Sequence, residues 1–438
     1  LVPILEVAES GGAPQSALGR FVASTLESAG IEASLGPLLV LVVVTMTVKA
    51  FLLWLSNRQV GFTVAHVTRD LRLRMIRALL KARWGYYGSR ATGSFANTVS
   101  TEALRAAFAY REICSFIAAL FQITTYVIIA TLISWQIAVL ALVSGSLLAW
   151  LLQGFVRMSR AAGQEQTRLS KSLTGRLVDV LQGIKPIKAM AREELVLPLL
   201  EEETEGLNQA QRKQVLASAG RRLFQEPILT AMLALTLYFL LEVSGQPFSA
   251  VLVLAFIFYR LMQHVNTLQG KIQAVVTGES AFWSLWEQIS EAENAEEDTE
   301  AGGETTLPER AASITVSGVT FGYIPGKRVL ENLDLDIPAG SFIAISGESG
   351  SGKTTLADLV LGFHTPKSGA VTIDGKDLQE LSLRDWRKQI GYVPQELLLF
   401  NQSILMNVTL GDPDLSRPDV ERALQQAGAW GFVSEREG

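Results

Sequence analysis

The sequence predicts two folds in one chain, an all-α helical bundle that spans a membrane and, behind it, an α/β domain. Three observations carry this expectation. Of 438 residues, 48% are hydrophobic and only 18% charged, with a mean hydropathy of +0.26, whereas a soluble domain usually carries about 25% charge. Residues 113–156 form a run of 44 residues without Asp, Glu, Lys or Arg. From Ala311 onward short strand-like and helix-like segments alternate, the pattern of an α/β domain.

The membrane elements follow in order. A bilayer core needs about 20 apolar residues per helix, so residues 113–156 suffice for two spans joined by a tight turn near Ser134–Gln136. Leu35–Leu55 supplies another span. Pro227–Leu241 and Phe248–Met262 are shorter and read as a helical hairpin broken at Glu242–Pro247. The apolar Leu1–Val7 reads as the tail of a sixth, and residues are expected to be missing before it. Ten Lys or Arg lie between Ser56 and Arg111, while before Leu35 only Arg20 stands against Glu6, Glu9, Glu27 and Glu32. The positive-inside rule puts the first stretch in the cytoplasm and the second outside. The stretch Arg157–Arg222 is also basic, hence cytoplasmic. Both cytoplasmic connections exceed 50 residues and carry helical apolar spacing, so the helices are expected to continue well beyond the bilayer. Lys49, near the cytoplasmic end of its span, is expected to snorkel. Arg260 lies deeper and is expected to face the interior, toward substrate or Glu226.

Between Ser290 and Arg310 lie eight acidic residues and one Arg, with no apolar periodicity, which is the composition of a solvated linker. The boundaries expected are a membrane domain 1–289, an acidic linker 290–310 and a partial α/β domain 311–438. The net charge of −5 argues against a nucleic-acid partner. The single cysteine, Cys114, excludes an internal disulfide or a cysteine-based metal cluster.

Within the α/β domain, Gly347-Glu348-Ser349-Gly350-Ser351-Gly352-Lys353-Thr354 satisfies G-x-x-x-x-G-K-[ST]. An apolar strand is expected before it, over Ser341–Gly347, and a helix after it, from Thr354 to about Leu361. Glycines let backbone N–H groups converge on phosphate oxygens at a helix N-terminus, Lys353 reaches the β- and γ-phosphates, and the Thr354 hydroxyl is a Mg²⁺ ligand. Tyr323, just upstream, could stack on a flat base; taken alone it reads as an ordinary strand aromatic. Gln395, after a strand-like "QIGYVPQ", could turn its amide oxygen to the metal; taken alone it reads as a surface glutamine.

The ordered series "VTFGY", "GESGSGKTT", "YVPQE" and "LFNQSILMNVTLGDP" resembles the nucleotide-binding domain of an ABC transporter of exporter type over Ser313 to about Gly428. The resemblance implies a type I exporter bundle fused to a partial P-loop NTPase domain. It also implies Tyr323 as the adenine-stacking aromatic, Gly347 to Thr355 as the Walker A loop, and Gln395 as the Q-loop residue that senses Mg²⁺. "TGSFANTVSTE" and "GIKPIKAMAREE" are similar to the regions of the two coupling helices, although Asn97 and Glu102 depart from the usual Arg and Asp, and Pro186 is unusual in its segment.

After Gln395 no Gly-Gly-Gln signature and no apolar strand ending in Asp-Glu follows, and His364 is the last histidine. This chain is therefore expected to be cut short at both ends, to bind ATP weakly and not to hydrolyse it; the ATPase is expected in the full-length dimer. The resemblance implies a half-transporter for a lipid, drug or other amphipathic substrate in a bacterial inner membrane. Its ATP domain would be cytoplasmic, its cofactors ATP and Mg²⁺, its partners the bilayer and a second identical or different subunit. The other reading is a nucleotide-regulated or non-hydrolysing half of a heterodimer.

Overall fold

The computed structural model describes residues 20, 24, 27, 28, 30, 34–88, 92–133, 135–238, 241–242, 248–300, 312–395 and 399–435. The apolar stretch at Leu1 and most of the acidic linker lie outside these. By its internal contacts the chain divides into two compact units, Leu1–Glu297 and Asp298–Gly438.

The first unit is helical. Helix α1 (Leu35–Lys81) is one rod of 47 residues, about 70 Å at 1.5 Å per residue. Its first half is the apolar span and its second the basic stretch, as the charge pattern requires. A four-residue turn of helix, α2 (Trp84–Tyr87), and α3 (Thr92–Asn97) lead through a π-helical turn (Thr98–Glu102) into α4 (Ala103–Ile133). Helix α5 (Trp135–Leu151) starts where the turn in the uncharged run is expected; Ser134 itself is outside the described residues. α5 meets α6 (Gln153–Gln182) at Leu152 with a bend of 45° between their axes. After the short α7 (Ile184–Ala189), α8 (Glu193–Tyr238) and α9 (Phe248–Asn294) are rods of 46 and 47 residues. By length and apolarity α1 and α4 can each cross a membrane, and the bent pair α5–α6 makes a third; the apolar ends of α8 and α9 do not reach that measure among the described residues.

Two apolar clusters hold the unit. Ala130, Ala138, Ala141, Val251, Phe258 and Leu261 join the membrane ends of α4, α5 and α9. Met75, Tyr86, Phe95, Ala103, Leu285 and Ile289 join the far ends of α1, α4 and α9. Small residues permit the close approach: a Cβ on Gly163 would stand 2.6 Å from the Thr277 carbonyl oxygen, so α6 and α9 pack backbone on backbone there. The ends of α1 and α9 are tied by Arg83 N–H to Ala295 O and Glu297 N–H to Lys81 O, each 2.8 Å.

The charges expected inside the spans are placed differently from one another. Lys49 is exposed on α1. Arg260 does not meet Glu226: its guanidinium lies over the Phe256 ring, one turn back on its own helix, at 5.3 Å from the centroid. The i,i+4 spacing presents the nearer partner, and cation–π contact needs no second helix.

The second unit carries a sheet of four strands, β1 (Ile314–Phe321), β2 (Leu330–Ile337), β3 (Ser368–Ile373) and β4 (Lys376–Asp377), in the order β2-β1-β3-β4 and antiparallel throughout. Ile314 on β1 sits opposite both Ile337 and Ile373, which fixes the register on either side. Helix α10 (Lys353–Val360) lays Leu356 and Leu359 on the sheet beside Val316, Val371 and Trp386. α11 (Leu383–Lys388) is capped by Ser382 and pinned by the Trp386 indole N–H to Val360 O at 2.9 Å. α12 (Ile404–Thr409), α13 (Arg417–Gln426) and α14 (Trp430–Ser434) follow; a capping box of Ser416 and Asp419 starts α13.

Two expected strands are absent from this sheet. Residues 341–348 and 390–394 pair with no neighbour, and Phe342 and Val393 are 95% and 85% exposed. Their runs are apolar on both faces, the composition of strands covered on both sides and paired on both edges. The described sheet pairs with neither of them, and a strand without a ladder is not held extended by its own sequence.

Candidate nucleotide site

The loop from Gly347 to Thr354 owes its shape to its glycines. Gly350 and Gly352 take φ of +83° and +94°, the left-handed region that other residues enter only at a cost. Gly352 is the residue before α10, so the chain turns directly from the loop into the helix. The first N–H groups of α10 have no partner within the helix and add its partial positive charge to the same point.

Lys353 folds back across this turn. Its Nζ donates to Gly347 O at 2.9 Å and to Glu348 O at 2.7 Å, and stands 3.5 Å from Ser351 Oγ. Two backbone carbonyls thus hold an ammonium that has no carboxylate partner among the described residues, the arrangement a phosphate can take over by offering charged oxygens. The loop's backbone and the free hydroxyl of exposed Thr354 fit a triphosphate. Among the described residues no three His, Cys, Asp or Glu gather to hold a metal.

Tyr323 is brought to this loop. Its hydroxyl lies 3.0 Å from Thr355 Oγ1 on the first turn of α10, and its ring remains 56% exposed. Thr355 is buried, so the pair fixes Tyr323 beside the loop. Gln395 is not brought there: it is exposed and makes no hydrogen bond among the described residues. His364 lies beside Tyr323. Its ring packs edge-to-face on Tyr323 at 5.3 Å and against Phe321 at 5.1 Å, with Nε2 buried and unpartnered among the described residues. Burial holds this imidazole below the usual histidine range, with Asp358 opposing. No local pattern announces that contact, since 41 residues separate the two rings.

Residues 7–267 match the family described as ABC transporter transmembrane region, and residues 330–437 the family described as ABC transporter. The chain is 25% identical over 365 residues to the heterocyst differentiation ATP-binding protein HepA of Nostoc sp., covering 83% of this chain and 60% of that protein. It is 24% identical over 380 residues to the ATP-dependent lipid A-core flippase of Syntrophus aciditrophicus, covering 85% and 62%. It is 36% identical over 275 residues to the alpha-hemolysin translocation ATP-binding protein HlyB of Escherichia coli, covering 60% and 37%. The chain thus spans less than two thirds of the length of these relatives. A structure of a bacterial Atm1-family ABC exporter with ATP bound superposes with a TM-score of 0.79 at 20% identity, over 99% of this chain and 75% of that one, a likeness of fold.

Proposed function

This chain belongs to the ABC transporters, and on that premise we propose that it is one half of an ATP-driven exporter working as a dimer, with an identical or a different second subunit. The observation that carries the reading is the Gly347–Thr354 turn, with two left-handed glycines and a lysine held by the carbonyl oxygens of Gly347 and Glu348. Lys353 takes the β- and γ-phosphates of ATP, Tyr323 offers its ring to the base, and Thr354 is the protein contact of Mg²⁺. ATP draws two such domains together; the rods α1, α4, α6, α8 and α9 carry that closure into the bundle, and hydrolysis resets it. The cargo is a lipid, drug or other amphipathic molecule, and the membrane a bacterial inner membrane with the nucleotide domain in the cytoplasm.

Titration of the chain in detergent with a fluorescent ATP analogue tests this. Binding is expected with the wild-type chain and is expected to fall by roughly a hundredfold in Lys353→Ala, the loss of a charge-assisted contact to two phosphates. Equal affinity of the two proteins would remove the assignment.

A further inference from the structure

A second concave site lies in the helical unit. A cavity of about 570 Å³ opens between α4, α6, α8 and α9. Four arginines line it, Arg105, Arg111, Arg221 and Arg222, against a single carboxylate, Glu112. That carboxylate is already shared, 2.8 Å from Arg111 and 2.8 Å from Lys271. Arg105 is drawn off to Glu102 at 3.2 Å and to the Thr167 hydroxyl at 2.9 Å. Arg221 and Arg222 are left with no acidic partner among the described residues.

Arg221 is the more telling of the two. It is only 9% exposed, yet its guanidinium meets neutral amides alone: Nε donates to Gln273 Oε1 at 2.8 Å and Nη1 to Gln225 Oε1 at 2.6 Å. Gln273 is itself held, through its amide nitrogen, on Ser159 Oγ at 2.6 Å. A buried guanidinium normally brings a counter-charge with it, because the amide dipoles that orient it do not neutralise it. Burial and the neighbouring Arg222 both weaken its hold on its proton, the mark of a cation without an anion.

The level of the cavity narrows the chemistry. Arg111 stands two residues before the uncharged run 113–156, Ser159 three residues after it, and Arg222 five residues before Pro227, where the apolar end of α8 begins. Arg111, Arg221 and Arg222 therefore lie near the ends of the apolar runs, about the depth of lipid headgroups, while Arg105 and the α9 wall from Gly270 to Gly278 reach eight or more residues beyond them. Phe108, Val215 and Ala274 form an apolar wall beside them.

We propose that this cavity is a binding site for the phosphate or carboxylate of an anionic amphiphile, with Arg221 and Arg222 as its recognition residues. Arg221, pre-oriented by Gln273 and Gln225, makes the directional contacts; Arg222, exposed at the mouth, draws the anion in. The inference deepens the exporter reading by naming the charge of what enters between the helices, and rests on that reading only for the sense of transport.

Binding to the whole chain in a neutral detergent, without nucleotide, tests it. The probes are a short-chain phosphatidic acid, the matching phosphatidylcholine, and inorganic phosphate. Phosphatidic acid is expected to bind and phosphatidylcholine not to, with affinity falling roughly tenfold or more in Arg222→Gln and in Arg221→Gln. It is expected to be unchanged in Arg69→Gln, an exposed arginine paired with Asp70 at 2.9 Å, and in Lys353→Ala. Arg222 is exposed, so its variant keeps the packing even if Arg221→Gln does not. Inorganic phosphate that competes at similar concentration supports the same anion chemistry with a soluble source; phosphatidic acid binding that phosphate cannot displace supports a membrane source. Equal binding of the two lipids, unchanged affinity in Arg222→Gln, or loss of binding in Lys353→Ala would overturn the assignment. The last would move the anion to the nucleotide loop and leave the nucleotide reading standing.

Discussion

The two units bury opposite things. Among the described residues, the helical unit encloses Glu102, Glu203, Arg221, Asn97, Gln269, Gln273 and Gln288, each at most 9% exposed, while the α/β unit encloses only the hydroxyl groups of Thr355, Ser382 and Thr409 among an otherwise apolar set. In the helices, polar side chains cross from rod to rod: Thr98 Oγ1 lies 2.9 Å from Gln288 Oε1, and Ser172 Oγ donates to Glu203 at 2.5 Å. In the α/β unit the polar chemistry sits outside the core, on a loop whose backbone is bent by glycine. One region is specified by side-chain networks between distant segments, the other by local backbone conformation. Substitutions should therefore fail differently in the two.

The largest effect is expected from the apolar core of the α/β unit. Leu359 is 1% exposed in the cluster around Val316 and Ile373, and Leu359→Ala should cost about 2–5 kcal/mol. Hydrogen exchange over residues 314–321 and 353–360 should rise together while α4 and α9 keep their protection. Exchange rising equally in the helices would break the division into two units. Next is Gly352→Ala. A Cβ there would stand 2.7 Å from Leu330 Cδ2 at a φ of +94°, costing about 1–3 kcal/mol. Because the strain falls on the loop itself, ATP-analogue affinity should drop further than exchange in β1 increases; the reverse order would mean that Gly352 serves the core and not the loop.

How much of this was legible follows the same divide. The glycine loop could be read because its conformation is coded within eight consecutive residues, and the start of a new helix at Trp135 because bilayer thickness sets a length. The long rods could be read from basic residues lying past apolar runs. The pairing of the α/β strands could not: "FIAIS" is apolar on both faces, but a ladder depends on neighbours that no local pattern names. Nor could the partner of Arg260, since helix geometry favoured Phe256 over a distant carboxylate. The polar cluster was visible only as two departures from the family pattern, Asn97 and Glu102. Asn97 Oδ1 accepts from the hydroxyls of Ser170 and Thr174 at 3.3 and 3.4 Å, more than 70 positions away.

Glu102 sharpens the contrast through pH. It is 1% exposed, and burial raises its carboxyl above the usual range although Arg105 pulls the other way. A raised carboxyl holds its proton longer in the folded chain than in the unfolded one. Stability therefore falls as pH rises from the ordinary glutamate range toward the raised value, by up to about 1.4 kcal/mol per pH unit. In Glu102→Gln that slope should disappear, whatever constant offset separates the two proteins. Parallel pH profiles from acid to neutral, followed by unfolding of the helical unit, would mean that Glu102 is solvated and the interior network is not closed.

The smallest effect belongs to the surface of the same unit, where the interior logic should not apply. Arg74 grips Glu293 with both arms of its guanidinium, Nε to Oε1 at 2.7 Å and Nη2 to Oε2 at 2.9 Å, and lies 4.8 Å from the centroid of the Trp286 ring. Both side chains are more than a third exposed, so Arg74→Gln should cost under about 1 kcal/mol, and less in high salt. The arginine's hydrogen bonds hold the Glu293 carboxyl below the usual range. Its contribution is thus present at neutral pH and lost on acidification, the opposite slope to that of Glu102. Arg74→Lys keeps the charge and gives up the fork; recovery of most of the wild-type stability would mean that charge alone joins α1 to α9 at this point, and recovery of little would assign the contact to the planar guanidinium.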